Sequence, residues 1–199
     1  MNGRGTRTTG TAALGAALLL ACACSPTNGG AARTSASPAA VTAQTLCDAL
    51  LTARDVPAGF RSRATGSPCD FEDPGTRDIL QSVAFDGRED TEEINEELER
   101  PGTEADAVSR YPELVSTLTS FGPQVSEQNA DAFRDLGDDV RYFLGHKVGS
   151  RGTDVHWSRL FVRRGRLLTY LNVTTIGPFA PADLHRLATK AEARVTALT

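Results

Sequence analysis

Two runs decide the fold: Val155-His156-Trp157-Ser158-Arg159-Leu160-Phe161-Val162 and Leu167-Leu168-Thr169-Tyr170-Leu171-Asn172-Val173, joined by Arg163-Arg164-Gly165-Arg166. Both are rich in β-branched and aromatic residues, and the segment between them carries a glycine and three charges. That combination predicts an antiparallel hairpin. Side chains alternate along a strand, so Val155, Trp157, Arg159 and Phe161 share one side and His156, Ser158, Leu160 and Val162 the other. Gly177-Pro178 ends the second run.

Working outward, Val140 to Val148 reads as a further strand. Ile79 to Phe85 reads as another, with Ile79, Val83 and Phe85 in alternation and Gln81 breaking the pattern. Phe60 to Thr65 alternates weakly, and Cys69-Asp70-Phe71 begins a strand after the turn Gly66-Ser67-Pro68. Helices flank these runs. Thr45 to Leu51 is a short one, and Thr52 with Asp55 has the spacing of a capping box. Thr103 caps a longer one to about Ser120, with Ala107, Tyr111, Leu114, Val115, Leu118 and Phe121 as its core stripe and Pro112 as a kink or a division. Asn129 to Leu136 holds one short turn. Pro181 and Asp183 open the last helix, whose Leu184, Leu187, Ala188, Ala191, Val195 and Leu198 form an unbroken apolar stripe. The expected fold is α+β: an antiparallel sheet of about five strands with helices packed on one face.

Asp86 to Asp106 contains ten acidic residues and two arginines. Glu92 to Arg100 is expected to form an exposed helix ended by Pro101-Gly102. Calcium loops place acids at alternate positions around a turn glycine. This run lacks that spacing and reads as a solvated face.

The N-terminus sets the compartment. Arg4 and Arg7 precede Ala12 to Ala21, a run of alanine, leucine and one glycine. Such a run spans about 15 Å as a helix, half a hydrocarbon core, which suits a signal peptide (residues 1–21) better than a transmembrane helix. Leu19-Leu20-Ala21-Cys22 resembles a bacterial lipobox. Ala21-Cys22-Ala23-Cys24 fits less well, so Cys22 is placed ahead of Cys24 as the lipidated residue, with a secreted soluble protein as the alternative. Residues 22–44, the lipidated end and a Ser/Thr/Ala/Pro/Gly stretch, read as a flexible tether. Residues 45–199 form one domain, long enough to bury about two-thirds of its unfolded surface. Loss of Arg4 and Arg7 leaves 19 basic and 25 acidic residues. That balance does not suit binding to nucleic acid or to anionic headgroups, so the anchor must hold the chain at the membrane. Cys47 and Cys69, an even pair in an exported chain, are expected to form a disulfide.

The frame Cys47-x-x-Leu50-Leu51-Thr52 … Cys69-Asp70-Phe71 resembles an actinobacterial lipoprotein family of unknown function. In that family a Cys-x-x-Leu-Leu-Thr helix is tied to a Cys-x-aromatic strand, usually with tryptophan where Phe71 stands here. The family is similar to the extracellular sensor domain of the mycobacterial kinase PknH and to Mog1/PsbP-like folds. The resemblance implies a non-enzymatic, ligand-binding or sensor-like domain on the extracytoplasmic face of the cell membrane, and it carries no assigned chemistry. Asp86 to Asp139 has no counterpart in it.

Motifs for chemistry are sparse. There is no Gly-x-Ser-x-Gly elbow, Ser-x-x-Lys, Walker loop or Gly-x-Gly-x-x-Gly turn. His146 and His156 lie on neighbouring expected strands and can approach each other and Asp154, but their spacing is not that of a zinc motif. No metal, cofactor or catalytic residue is therefore expected, and His185 reads as a polar helix position. Lys147, Arg151, Arg159, Arg163, Arg164 and Arg166 gather around the hairpin. Arg159, Arg163, Arg164 and Arg166 are the candidate patch for an anionic envelope partner, or else they keep a turn soluble. A monomer is expected. The rival functions are a carrier of an apolar molecule, marked by a dry pocket of several hundred Å³ between the sheet and the last helix, and a structural interaction protein. A hydrolase using His146 and His156 is the third rival, marked by their meeting an acid in a cleft.

Overall fold

Strands β6 (Asp154–Arg164) and β7 (Leu167–Ile176) form the expected hairpin, with Arg164 opposite Leu167 across the two-residue turn Gly165-Arg166. This computed structural model describes residues 41–64, 79–120, 123–149 and 152–198. Cys22, Cys24 and Cys69, with the signal and most of the tether, lie outside the described residues, as do Phe71 and Arg151. β5 (Asp139–Val148) pairs with β6, and the edge strand β4 (Ser126–Gln128) pairs with β5. On the other side of β7 come β3 (Glu93–Arg100), β2 (Ile79–Asp86) and the two-residue β1 (Arg61–Ser62). The order is β1-β2-β3-β7-β6-β5-β4, antiparallel throughout. The sheet thus has seven strands where about five were expected.

β3 is the main correction. Glu92 to Arg100 is expected from sequence to be an exposed helix, yet Glu93–Arg100 is a strand between β2 and β7. Ile94, Glu96 and Leu98 share one face and are each 0 % exposed. The strand period is present in Ile94-x-Glu96-x-Leu98, but the glutamates hide it. Glu96 and Glu99 are buried rather than part of a solvated face.

The helices correct a second expectation, since they cover both faces. α1 (Ala43–Asp48) and α3 (Pro181–Thr196) share a core with Phe85, Ile94, Leu98, Leu160, Val162, Leu171 and Val173. α2 (Glu104–Ser120) lies on the opposite face, where Ala107, Tyr111, Leu114 and Val115 meet Phe143, Phe161, Leu168 and Tyr170. β7 is accordingly buried at every position from Leu167 to Thr175. A strand covered on both sides has no polar face, and Leu167-Leu168 and Tyr170-Leu171 carry that signal.

Local sequence sets the helix starts. Thr42 and Thr45 exchange backbone and side-chain hydrogen bonds in a capping box before α1. Thr103 Oγ1 accepts the Asp106 N–H at 3.1 Å before α2. Pro112 leaves α2 unbroken from Glu104 to Ser120. Pro112 and Val108, four residues earlier, are both on the exposed side, where water can satisfy a carbonyl that proline leaves unpaired. Past α1, Arg194 of α3 donates to Leu50 O at 3.2 Å and to Asp55 Oδ2 at 2.8 Å, holding this segment over the sheet.

Candidate functional site

A cleft of about 570 Å³ opens on the α3 face of the sheet, at its β4–β5–β6 end. Strand alternation supplies the floor: Tyr142, Leu144 and His146 of β5, with His156 and Ser158 of β6. Gln124, Val125 and Ser126 form one wall, and Pro178, Phe179 and Pro181, leading into α3, form the other. Two glycines shape it. A Cβ at Gly145 would lie 2.4 Å from Gln124 O and 2.9 Å from Val125 Cγ1, so only glycine lets the wall come this close. Gly177 has φ +79° and donates its N–H to Asp154 O at 2.8 Å, turning the chain from β7 toward Pro178 and Phe179.

His146, Asp154 and His156 meet beside this cleft. His146 and His156 are directly opposite each other in the β5–β6 ladder, and Asp154 is two residues before His156 on the same face. The rings stack with centroids 5.4 Å apart and an interplanar angle of 20°. Asp154 Oδ2 lies 2.8 Å from His156 Nε2, and Asp154 Oδ1 lies 3.4 Å from His146 Nδ1. Oδ1 is shielded from solvent but has no hydrogen bond of good geometry. The hydrogen bond from His156 holds the Asp154 carboxyl below the usual carboxylate range, although burial opposes it. One ligand atom from each of the three side chains falls within 4.8 Å of the others. The meeting of two histidines and an acid, named above as the mark of a hydrolase, is thus present. No other such group of three or more His, Cys, Asp or Glu occurs among the described residues.

The fold has a known counterpart. It is similar to the crystal structure of the extracellular domain of PknH from Mycobacterium tuberculosis, with a TM-score of 0.57 and 10 % identity. The match covers 81 % of this chain and 100 % of that one. At this identity the likeness is one of fold, and the cleft side chains must be read from this chain alone. No family model and no curated protein matches the sequence. Among the described residues no helix is long and apolar enough to cross a membrane.

The four candidate arginines do not present a free basic face. Arg159 is buried and donates to Leu118 O of α2 at 2.5 Å. Arg163 pairs with Asp138 at 3.3 Å. Arg164 bridges Glu192 at 3.2 Å and Leu136 O at 2.5 Å, and Arg166 donates to Pro101 O at 3.0 Å and to Gly102 O. Strand alternation separates them further, with Arg159 and Arg163 on the α2 face and Arg164 on the other. Each guanidinium ties a loop or helix end to the sheet. Lys147 is on β5, one residue from His146.

Sequence reasoning missed the cleft walls. Gln124 to Ser126 and Pro178 to Pro181 are separated by more than fifty residues, and only the β4–β5 pairing brings the first segment to the floor. Gly145, in the middle of a strand, was the one local signal of a close backbone approach. His185 is not part of the cluster; its Nε2 lies 3.0 Å from Asp135 Oδ1.

Proposed function

We propose that this chain is an exported lipoprotein whose domain binds a small envelope-derived ligand in a sensor-like role. The observation that carries this reading is the cleft. Its volume of about 570 Å³ falls within the range of small-molecule sites. Val125, Leu144, Pro178, Phe179 and Pro181 suit an apolar body, while His146, His156 and Ser158 suit a polar end. Likeness in fold to an extracellular domain supports a position outside the cytoplasm.

The anchor is acyl chains on Cys22, with Cys24 as the alternative, because more than one chain is needed for stable attachment. The domain then acts as a monomer on the extracytoplasmic face of the cell membrane. Cys47 and Cys69 form its disulfide. Cys47 lies at the buried end of α1 and is not a free thiol, which supports the pairing.

Thermal unfolding in the presence of fractionated envelope extract tests the reading, since a ligand that binds only the folded state raises the midpoint. A fraction should raise the midpoint of the wild type but not that of Leu144→Trp, which fills the cleft. Equal shifts in both proteins, or none in either, would remove the binding-module reading.

A further inference from the structure

The polar end of the cleft brings together two histidines from neighbouring strands and one carboxylate. We infer that His146, Asp154 and His156 bind one divalent transition-metal ion, Zn²⁺ by preference. The site deepens the binding-module reading and rests on the same cleft: the ion supplies the contact for the polar end of the ligand.

Three observations carry the assignment. First, the donor set is two imidazole nitrogens and one carboxylate oxygen, which suits Zn²⁺ and its neighbours and not Mg²⁺ or Ca²⁺, whose ligands are oxygens. Second, the spacing fits. Donors of a tetrahedral zinc sphere are about 3.3–3.6 Å apart, given metal–ligand distances of about 2.0–2.2 Å. Asp154 Oδ1 and His146 Nδ1 are 3.4 Å apart, and the whole set lies within 4.8 Å, so the set closes on one ion once a histidine ring turns out of the parallel stack to aim its lone pair inward. Third, Asp154 Oδ1 faces His146 without a good hydrogen bond, on a side chain that is 45 % exposed and so open to an incoming ion.

Backbone pairing places the donors. His146 and His156 are locked opposite each other by the strand ladder. The Gly177 N–H fixes the Asp154 backbone, and register pairs Val148 with Asp154 at the end of β5. Three protein ligands leave a fourth position, as open zinc sites do. His146 and His156 both line the cleft, so this position is available to a cleft ligand. A ligand with a carboxylate or phosphate at its polar end has the charge and the oxygen donors to take it.

The test is titration of the full chain with Zn²⁺, and with Co²⁺ as a visible-absorption probe. The chain carries no histidine tag, and Cys22→Ser and Cys24→Ser remove the N-terminal thiols. One equivalent of Zn²⁺ should bind, and tetrahedral Co²⁺ bands should appear. His146→Ala and Asp154→Asn should each weaken binding by more than about tenfold. Asp154→Asn keeps the side-chain shape, and an unchanged circular-dichroism spectrum confirms that the variants fold. Absence of saturable Zn²⁺ binding would overturn the assignment, and so would binding that survives both variants. Zn²⁺ binding and the extract-induced thermal shift are read separately, so either reading can fail while the other stands.

Discussion

Glu96 Oε2 accepts the backbone N–H of Leu51 at 2.5 Å, joining the centre of the sheet to a segment 45 residues earlier. The carboxyl is 0 % exposed, and Oε1 has no hydrogen-bond partner. Burial pushes the group up to about 8, with the Leu51 N–H and Arg194 opposing and Glu192 and Asp55 reinforcing the shift. At neutral pH Glu96 is therefore mostly a carboxylic acid.

A raised carboxyl makes the folded state hold a proton that the unfolded chain releases. Its stability contribution is present in full below an unfolded pKa of about 4.5, falls as pH rises, and levels off above about 8. Glu97 and Glu192 are also raised by burial and act in the same direction. Urea midpoints at pH 5, 7 and 9 should decline in that order. Glu96→Gln should flatten much of the decline while keeping the Leu51 hydrogen bond. An equally steep decline in that variant would show that Glu96 is not its source.

Glu96 also marks the limit of what the sequence discloses. The hairpin, the α3 stripe, the Thr103 cap and the strand at Ile79 to Phe85 all follow from periods and caps within a few residues. β3 does not, because its burial depends on pairing with β7, about seventy to eighty residues later, and its charges imitate a surface helix. Sheet coverage was hidden in the same way. The α2 stripe shows that α2 packs somewhere, but the face it covers is fixed by long-range partners such as Phe161 and Leu168. At the site, the approach of His146, His156 and Asp154 was visible from strand adjacency. The cleft was not, because its walls come from distant loops.

Arg164 and Glu192 tie β6 to α3, and Glu192 is almost fully buried while Arg164 is partly exposed. Removing the cation leaves a buried carboxylate without its partner. Arg164→Ala should cost about 2–3 kcal/mol in urea unfolding, less than the loss from breaking a fully buried pair because solvent screens part of the interaction. Glu192→Gln should restore part of that loss in the double variant. If Arg164→Ala costs under about 0.5 kcal/mol, the arginine is a surface group after all.

Tyr111 Oη donates to Phe161 O at 3.0 Å and anchors α2 to the sheet. Tyr111→Phe keeps the packing and deletes that bond. A loss of about 1 kcal/mol in chemical denaturation is the expected result. Zn²⁺ affinity should not change, because the α2 face is opposite the cleft.

Gly145→Ala forces a methyl group against Gln124 O and Val125 Cγ1. The wall must move outward, with an expected cost of about 1–3 kcal/mol. Hydrogen exchange should rise in β4, and the extract-induced thermal shift should shrink. Unchanged exchange in β4 would contradict that close approach.

Reducing the proposed Cys47–Cys69 disulfide opens a loop of 21 intervening residues. In the chain-entropy model this removes roughly 3 kcal/mol. Unfolding midpoints with and without dithiothreitol measure the effect, and identical midpoints would count against the bond.

Native mass spectrometry of the protein gently extracted from its own membrane tests the cleft most directly. Acyl mass on the N-terminal cysteine is expected in every form, with an additional non-covalent mass on the wild type that is missing from Leu144→Trp. A wild-type spectrum showing only the acylated polypeptide, or the same extra mass on both proteins, would contradict binding in the cleft.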